Sequence, residues 1–422
     1  MSTGSGAATG NEPGGAGLRP DEGGREGYVL VINAGSSSLK YRVVDAGSGG
    51  TAADGTVSEI GGAAHLHHEA GDTAVHHRVD SPSHAEAFTL ARRALTDHGP
   101  VLGGGLLAVG HRVVHGGARF ADPVLVDDDV LTALRELADL APLHNPANVT
   151  GIERARDAFP DIPHVAVFDT GFHRSLPPEA STYAVPREWR EQHSVRRYGF
   201  HGSSFAYVSR RTAQLMGRPL EDLHLVVLHL GNGASACAIA GGRSVDTSMG
   251  LSPAEGLVMG TRSGDVDPAL AGYLARVAHL SAQDYDTAVN RLSGLLGLAG
   301  VSDFRTITER VAAGDPDASL ALDVTVHRLR KYVGGYAAVL GRLDAVVFTG
   351  GIGQGSAILR AAVVHGLAVL GLHLDDQANA DGPDERRVSS RQSAAEVWVV
   401  PTDEEGEIAR CALGVLHDLP HH

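Results

Sequence analysis

Short apolar runs ending in glycine-rich turns alternate along this chain with longer stretches of helical periodicity. Tyr28-Val-Leu-Val-Ile-Asn33 reads as a buried strand, Ala34-Gly-Ser-Ser-Ser38 as a turn, and Leu39-Lys-Tyr-Arg-Val-Val44 as the returning strand. His84–His98 has a helical apolar period and Leu106–Val114 reads as a strand. Helices are predicted over Asp128–Leu140 and Pro146–Phe159, followed by a strand at His164–Phe168 that ends on Asp169. The second half opens in the same manner: strand Leu223–Leu230, turn Gly231-Asn-Gly233, strand Ala234–Ala240. Mostly helices follow from Asp267 to Leu340. Strand Leu343–Phe348 then runs into a turn at Thr349-Gly-Gly-Ile-Gly353, ahead of a helix over Ser356–Leu370. Strand Val397–Pro401 and helix Glu404–Leu416 close the pattern.

Set side by side, VLVINAGSSSLKYRVVDAG and LVVLHLGNGASACAIAGG share one design of apolar strand, polar residue, Gly-centred turn and second strand. Two readings stay open: two hairpins alike by chance, or a duplicated nucleotide-binding half whose copies face each other across a cleft. Composition narrows the class. With 422 residues, 43% hydrophobic and 20% charged, the chain can bury a core and is long enough for about two to three domains. Only 5% aromatics beside 54 glycines favours an α/β protein over a β-sandwich. A net charge of −15 argues against nucleic acid as partner, because nothing supplies the basic surface that counterion release needs. A small phosphorylated ligand remains compatible. Cys237 and Cys411 make no disulfide framework or zinc motif and read as buried small residues in a reducing cytosol. The Gly/Ala-rich first 26 residues lack the apolar core of a secretory signal and read as a disordered tail; no run reaches membrane-spanning length.

Several turns carry candidate chemistry. Gly35 lets backbone N–H groups approach an anion, and the serines and Lys40, one of only two lysines, add donors and charge; an ordinary polar hairpin is the bland alternative. His229-Leu-Gly-Asn-Gly233 and Thr349–Gly355 repeat the arrangement. Three such turns, each after a buried strand, are harder to dismiss than one. Arg112 and Arg262 sit among small residues at the ends of apolar segments, where a guanidinium can reach into a cleft. Asp169 could orient such an arginine, bind Mg²⁺, act as a base or cap a turn. Glu404 reads by itself as a helix-dipole residue. His201 precedes a helix, and the histidines from His65 to His77 read as a solvated hairpin.

In order, these segments resemble the acetate kinase family. VINAGSSSLKY stands at Val31–Tyr41, HRVVHGG at His111–Gly117, LAPLHNPAN at Leu140–Asn148, FDTGFH at Phe168–His173 and YGFHG at Tyr198–Gly202. HLGNGAS follows at His229–Ser235, DTSMG at Asp246–Gly250, MGTRSGD at Met259–Asp265, SDFR at Ser302–Arg305, FTGGIG at Phe348–Gly353 and PTDEE at Pro401–Glu405. The resemblance implies a two-lobed, duplicated ribonuclease-H-like (actin-like ATPase) α/β fold with the active site in the interlobe cleft. One lobe would comprise residues 27–172 with 403–422, the other, nucleotide-binding and dimerising, residues 173–402. It implies reversible phosphoryl transfer between ATP and acetate, giving acetyl phosphate and ADP, with Mg²⁺ or Mn²⁺, in a cytoplasmic homodimer. The alternatives are a propionate kinase or a non-transferring ATPase of the same superfamily.

The resemblance also implies roles. Asn33 and Glu404 would organise the metal, with Ser36, Ser38 and Lys40 at the phosphates. Arg112 and Arg262 would hold the acetate carboxylate and the phosphoryl group, with Asp169 between them, and His201 would bond phosphoryl oxygens. Val114, Leu143, Phe200 and Pro253 would line the methyl pocket beside His144. His229, Leu230, Gly231, Asn232 and Gly233, then Asp303, Phe304 and Arg305, then Gly351, Ile352, Gly353, Gln354 and Gly355 would hold ATP. Three departures stand out: Phe205 where the family usually has His, Gln354-Gly355 where Glu-Asn is common, and Asp403 in place of Asn.

Overall fold

The computed structural model describes residues 26–35, 37–80, 82–100, 105–142 and 144–418. An eight-stranded sheet holds β1 (Tyr28–Ala34), β2 (Leu39–Asp45), β3 (Thr51–Ser58), β4 (Ala63–Ala70), β5 (Thr73–Asp80), β6 (Leu106–Val113), β7 (Val124–Leu125) and β8 (His164–Phe168). Their order is β5-β4-β3-β2-β1-β6-β8-β7. A six-stranded sheet holds β9 (His224–Leu230), β10 (Ala234–Ala240), β11 (Arg243–Thr247), β12 (Ala345–Thr349), β13 (Arg386–Arg387) and β14 (Glu396–Val399), in the order β11-β10-β9-β12-β14-β13. Each sheet contains an antiparallel meander whose first strand is extended by two parallel strands: β3-β2-β1-β6-β8 in one, β11-β10-β9-β12-β14 in the other. Of the two readings of the paired hairpins, duplication is therefore the right one, and it extends to the whole half.

Burial on both faces explains why β8 (HVAVF) and β12 (AVVFT) are apolar apart from His164 and Thr349. Alternate residues of β1 serve opposite faces. Leu30 and Ile32 pack with Phe88, Leu95 and Ala155 from helices His84–His98 and Asn145–Ala158. Val29 and Val31 pack with Ile408, Ala409 and Ala412 from the last helix, Glu404–His417. In the second sheet Val226 and Leu228 meet helix Pro316–Leu340, while Leu225 and Val227 meet Phe205 and Val208 of helix Gly202–Met216.

Several boundaries differ from the pattern reading. The helix from Asp128 ends at Glu136 and tightens into a 3-10 turn over Leu137–Leu140, whose first carbonyl is taken by the Asn145 amide at 3.4 Å. The predicted turn after β12 is a short helix, Gly350–Gly355. Gly350, at φ +75°, turns the chain where a Cβ would strike the Leu230 backbone, and the buried Arg360 guanidinium satisfies the carbonyls of Gly353 (2.8 Å) and Gln354 (2.6 Å). Ser356 is the N-cap of the next helix, which stops at His365 before Gly366. The histidine hairpin, β4 with β5, is not wholly solvated: His68 is buried and bonded to the Tyr41 hydroxyl at 2.9 Å. Cys237 is buried, but Cys411 is only partly so. The expected tail, save Glu26, lies outside the described residues.

Candidate active site

The polar residues gather at the C-terminal ends of the parallel strands, where open α/β sheets leave a crevice. Asn33 and Arg112 are the penultimate residues of β1 and β6, Asp169 follows β8, and His229 is penultimate in β9. They border the interlobe cleft, where a cavity of about 270 Å³ opens. Asn33, Ser38, Lys40, Arg112 and Asp169 line it from the first sheet, with Val114 and His144 beside them. Phe200, His201, Gly233, Pro253 and Arg262 face them from the other side.

The two arginines differ in company. Arg112 engages Asp169 with a fork, Nε to both carboxylate oxygens at 3.0 and 3.1 Å and Nη2 to Oδ2 at 2.7 Å. Burial opposes the charge on Arg112, but Asp169 and Glu404 outweigh it and hold its pKa above the ordinary value. Burial likewise pushes the Asp169 carboxyl upward against the pull of Arg112; with a forked guanidinium 2.7 Å away, the carboxylate form is the one this geometry fits. Arg262 donates to the Pro253 carbonyl at 3.2 Å and has no carboxylate within ion-pair distance among the described residues. Asp169 is thus paired with Arg112, and both line the same cavity as Arg262. Burial lowers the pKa of Arg262, yet a guanidinium starts so high that it stays charged at neutral pH.

The imidazoles are neutral. His201, at φ +59°, is the N-cap of helix Gly202–Met216 and one of few non-glycine residues in the left-handed region. The turn holds because the Gly202 N–H donates to the Asp169 carbonyl at 2.9 Å, with no room for a Cβ. Its ring stacks on His229, with centroids 4.2 Å apart. Burial, then the neighbouring His229, Arg112 and Arg262, drives the His201 pKa well below the usual imidazole value. Burial and the same two guanidiniums bring His144 down to about 4.

A divalent metal fits the donors present. The Glu404 carboxylate lies 3.6 Å from Arg112 Nη1 and 4.0 Å from His229 Nδ1, and neither is a hydrogen bond. Arg112, His229 and Lys40 overcome the effect of burial and keep its pKa low. Among the described residues no side chain hydrogen-bonds Glu404 or the Asn33 amide, and no group of three or more His, Cys, Asp or Glu side chains is placed to hold a metal, so the protein would contribute few ligands. Mg²⁺ commonly takes one or two protein oxygens and completes its shell with substrate phosphates and water.

The expected nucleotide residues lie outside the cavity, Gly233 excepted. Leu230, Gly231, Phe304 and Ile352 line an apolar hollow in the second lobe, and the Leu230 and Phe304 side chains belong to the core that walls it. Asp303 caps its helix by accepting from the Thr306 N–H at 3.0 Å, and Arg305 is exposed beside it. Asn232, Gly351 and Gly355 stand on the surface, while Gly353 and Gln354 give their carbonyls to Arg360. Ser36 and Leu143 lie outside the described residues. Residue-level reading missed Asn148, which lines the cavity and ties its walls: Nδ2 donates to the Ala34 carbonyl (2.6 Å) and Oδ1 accepts from the Val114 N–H (3.0 Å). The signal was the Asn145–Asn148 spacing inside LAPLHNPAN, which puts two amides on the first turn of one helix.

The chain matches the model of the acetokinase family over residues 28–410. The chain belongs to the acetokinase family. It is 52% identical over 399 residues to the acetate kinase of Streptomyces avermitilis, covering 93% of this chain and 98% of that one. It is 53% identical over 388 residues to that of Leifsonia xyli subsp. xyli, covering 91% and 98%. Among solved structures it resembles a propionate kinase from Francisella tularensis (TM-score 0.88, 37% identity) and Porphyromonas gingivalis acetate kinase (0.87, 38%), each over 92% of this chain and 100% of the other. For an acetokinase, two of the departures are structural. Phe205 is a fully buried ring against Phe172 and His173, and Asp403 caps the last helix while pairing with Arg42 at 2.6 Å.

Proposed function

We propose that this cavity transfers a phosphoryl group reversibly between ATP and acetate, giving acetyl phosphate and ADP. One observation carries the reading: a cation without a counter-charge, Arg262, faces an arginine already forked to Asp169, across a cavity with an apolar wall of Val114, Phe200 and Pro253. That is the inventory for two small anions, one of which ends in a methyl group.

In the forward direction an acetate oxygen forms a bond to the γ-phosphorus while the bond to the bridging oxygen breaks and ADP leaves. A carboxylate is already ionised at neutral pH, so no proton has to move. The demand is for alignment and charge neutralisation, and little falls to a base. Asp169 therefore serves by fixing the Arg112 fork. Arg112 and Arg262 take the carboxylate and the phosphoryl oxygens, neutral His201 donates a hydrogen bond, and the apolar wall takes the methyl. Ser36, Ser38 and Lys40 bind phosphate. Residues 229–233, 303–305 and 351–355 bind the nucleotide. Asn33 and Glu404 hold Mg²⁺, which supplies further neutralisation of phosphate charge when bound.

We place residues 27–172 with 403–422 in one lobe and 173–402 in the other, and the protein in the cytoplasm as a homodimer. Among the described residues no helix is long and apolar enough to cross a membrane. The dimer reading draws on helices Leu270–Val277 and Ala282–Arg291, which bury no residue of their own, and on Tyr273, Val277 and Leu292, each more than half exposed. Such a face fits a second copy. The test of function is a panel of formate, acetate, propionate and butyrate with ATP and Mg²⁺, with acyl phosphate trapped as hydroxamate. Acetate should give the highest kcat/KM. Preference for propionate would make this a propionate kinase, and ATP loss independent of any carboxylate would make it an ATPase.

A further inference from the structure

We infer that the Ser235 hydroxyl is a positioning group that locks His201 in the tautomer carrying its proton on Nε2, so that an N–H faces the reacting phosphoryl group. Ser235 is fully buried on β10, and its Oγ lies 2.8 Å from His201 Nδ1. The other side of the ring borders the cavity, with Nε2 3.6 Å from where a Cβ on Gly233 would stand. A neutral imidazole presents either an N–H or a lone pair there. A lone pair would repel a phosphoryl oxygen, whereas an N–H bonds it. The useful tautomer requires Nδ1 to accept, and only a donor at Nδ1 enforces that. The serine hydroxyl, which can donate or accept, takes the donor role in the inferred tautomer.

The stacked ring shows the same arrangement. Thr402 Oγ1 donates to Ser204 Oγ at 2.8 Å, which leaves the Ser204 proton for His229 Nδ1, also at 2.8 Å. With that direction His229, too, would carry its proton on Nε2. Two neighbouring imidazoles each tied at Nδ1 to a buried serine is an arrangement for fixing tautomers, beyond filling space.

The role assigned to His201 rests on the proposed phosphoryl transfer; the tautomer does not. Selective ¹⁵N labelling of histidine distinguishes the two nitrogens of His201, assigned by its loss in His201→Asn. The full-length protein should show an Nε2-protonated ring, and Ser235→Ala should show a mixture of tautomers or Nδ1 protonation. Kinetically, Ser235→Ala should lose roughly tenfold or more in kcat, the scale of one hydrogen bond, with acetate and ATP KM within about twofold. Ser235→Thr, which keeps the hydroxyl, should recover most of the loss. A merely structural role would lower the melting temperature without this split or rescue. An Nδ1-protonated His201 in the unsubstituted protein, or a Ser235→Ala spectrum unchanged from it, overturns the inference. Folded Ser235→Ala with unchanged kcat would overturn its catalytic half. Absence of acetyl phosphate formation by the unsubstituted enzyme would instead overturn the functional reading and leave the spectrum to decide the tautomer.

Discussion

Among the described residues no carboxylate pairs with Arg262, so its charge is realised when negative charge arrives. Its replacement should therefore fall on kcat. Arg262→Ala should lose roughly 10³-fold or more, the lower range for a transition-state arginine. Arg262→Lys should recover part of it, because an ammonium lacks the planar fork. Steady-state kinetics with circular dichroism decide; a folded Arg262→Ala enzyme within tenfold of normal kcat would sink the assignment. Val114 tests the apolar wall. One methylene is worth about 1–3 kcal/mol in such a pocket, so Val114→Ala should narrow the acetate-to-propionate ratio of kcat/KM, and an unchanged ratio would move the pocket elsewhere. Buried histidines set the acid limit of stability. Burial brings His115 and His173 down to about 4; His173 bonds the Phe200 carbonyl (2.9 Å) and the Ser244 hydroxyl (2.8 Å). Below about pH 6.5 the unfolded chain takes protons that the fold refuses, so stability is full above that value and declines as pH falls toward 4. Urea unfolding across this range should show the decline, with a slope about one proton smaller in His173→Gln; an unchanged slope would mean His173 titrates normally in the fold.

At the scale of elements, the last helix is braced against helix Gly202–Met216 by an ion pair. Glu407 is buried and bonded by Arg210 from that helix and by Arg410 from its own. Glu407→Ala should cost about 2–3 kcal/mol, less than the 3–5 of fully buried pairs, because Arg210 and Arg410 still reach water. A change in melting temperature within error would show that the helices are held by apolar contact alone. Strands and their chemical ends were legible because an apolar run closing on glycine is a local signal: Asn33, Arg112, Asp169 and His229 all stand at such ends. What escaped is non-local. Asn148 clamps Ala34, 114 residues away, and the Thr402–Ser204 bond spans 198. Single serines and asparagines give no periodic trace of such partners. Leu230 and Phe304 were visible as motif members, but only packing shows that their side chains face inward. The short helix at Gly350–Gly355 was missed because a buried arginine downstream, and no local propensity, satisfies its carbonyls.

For the whole molecule, two similar halves meet at one cleft, and the cavity draws residues from both. Removing the exposed apolar face of helix Leu270–Val277 should separate copies without touching that cleft. On the proposed dimer, sedimentation should show the unsubstituted protein as a dimer and Tyr273→Glu/Val277→Glu as a monomer; a dimer persisting in the double variant would put the interface elsewhere.

The helix Glu404–His417 has a consequence for how the protein is made. Val29, Val31, Ala108, Val165 and Val167 form a face whose cover, Ile408, Ala409, Ala412 and Leu416, comes from a helix that begins at Glu404, far along the chain from β8. A ribosome that has just completed β8 (ending at Phe168) must add 404 − 168 = 236 residues to reach Glu404, roughly 12–47 s of synthesis. Through that interval the nascent first sheet holds a greasy, uncovered surface, and Glu404 does not yet exist. The site cannot be complete before Glu404 has been added, and until then the uncovered sheet should be open to a chaperone. A ribosome stalled at codon 400 should display that open sheet; one stalled with the last helix clear of the exit tunnel should not.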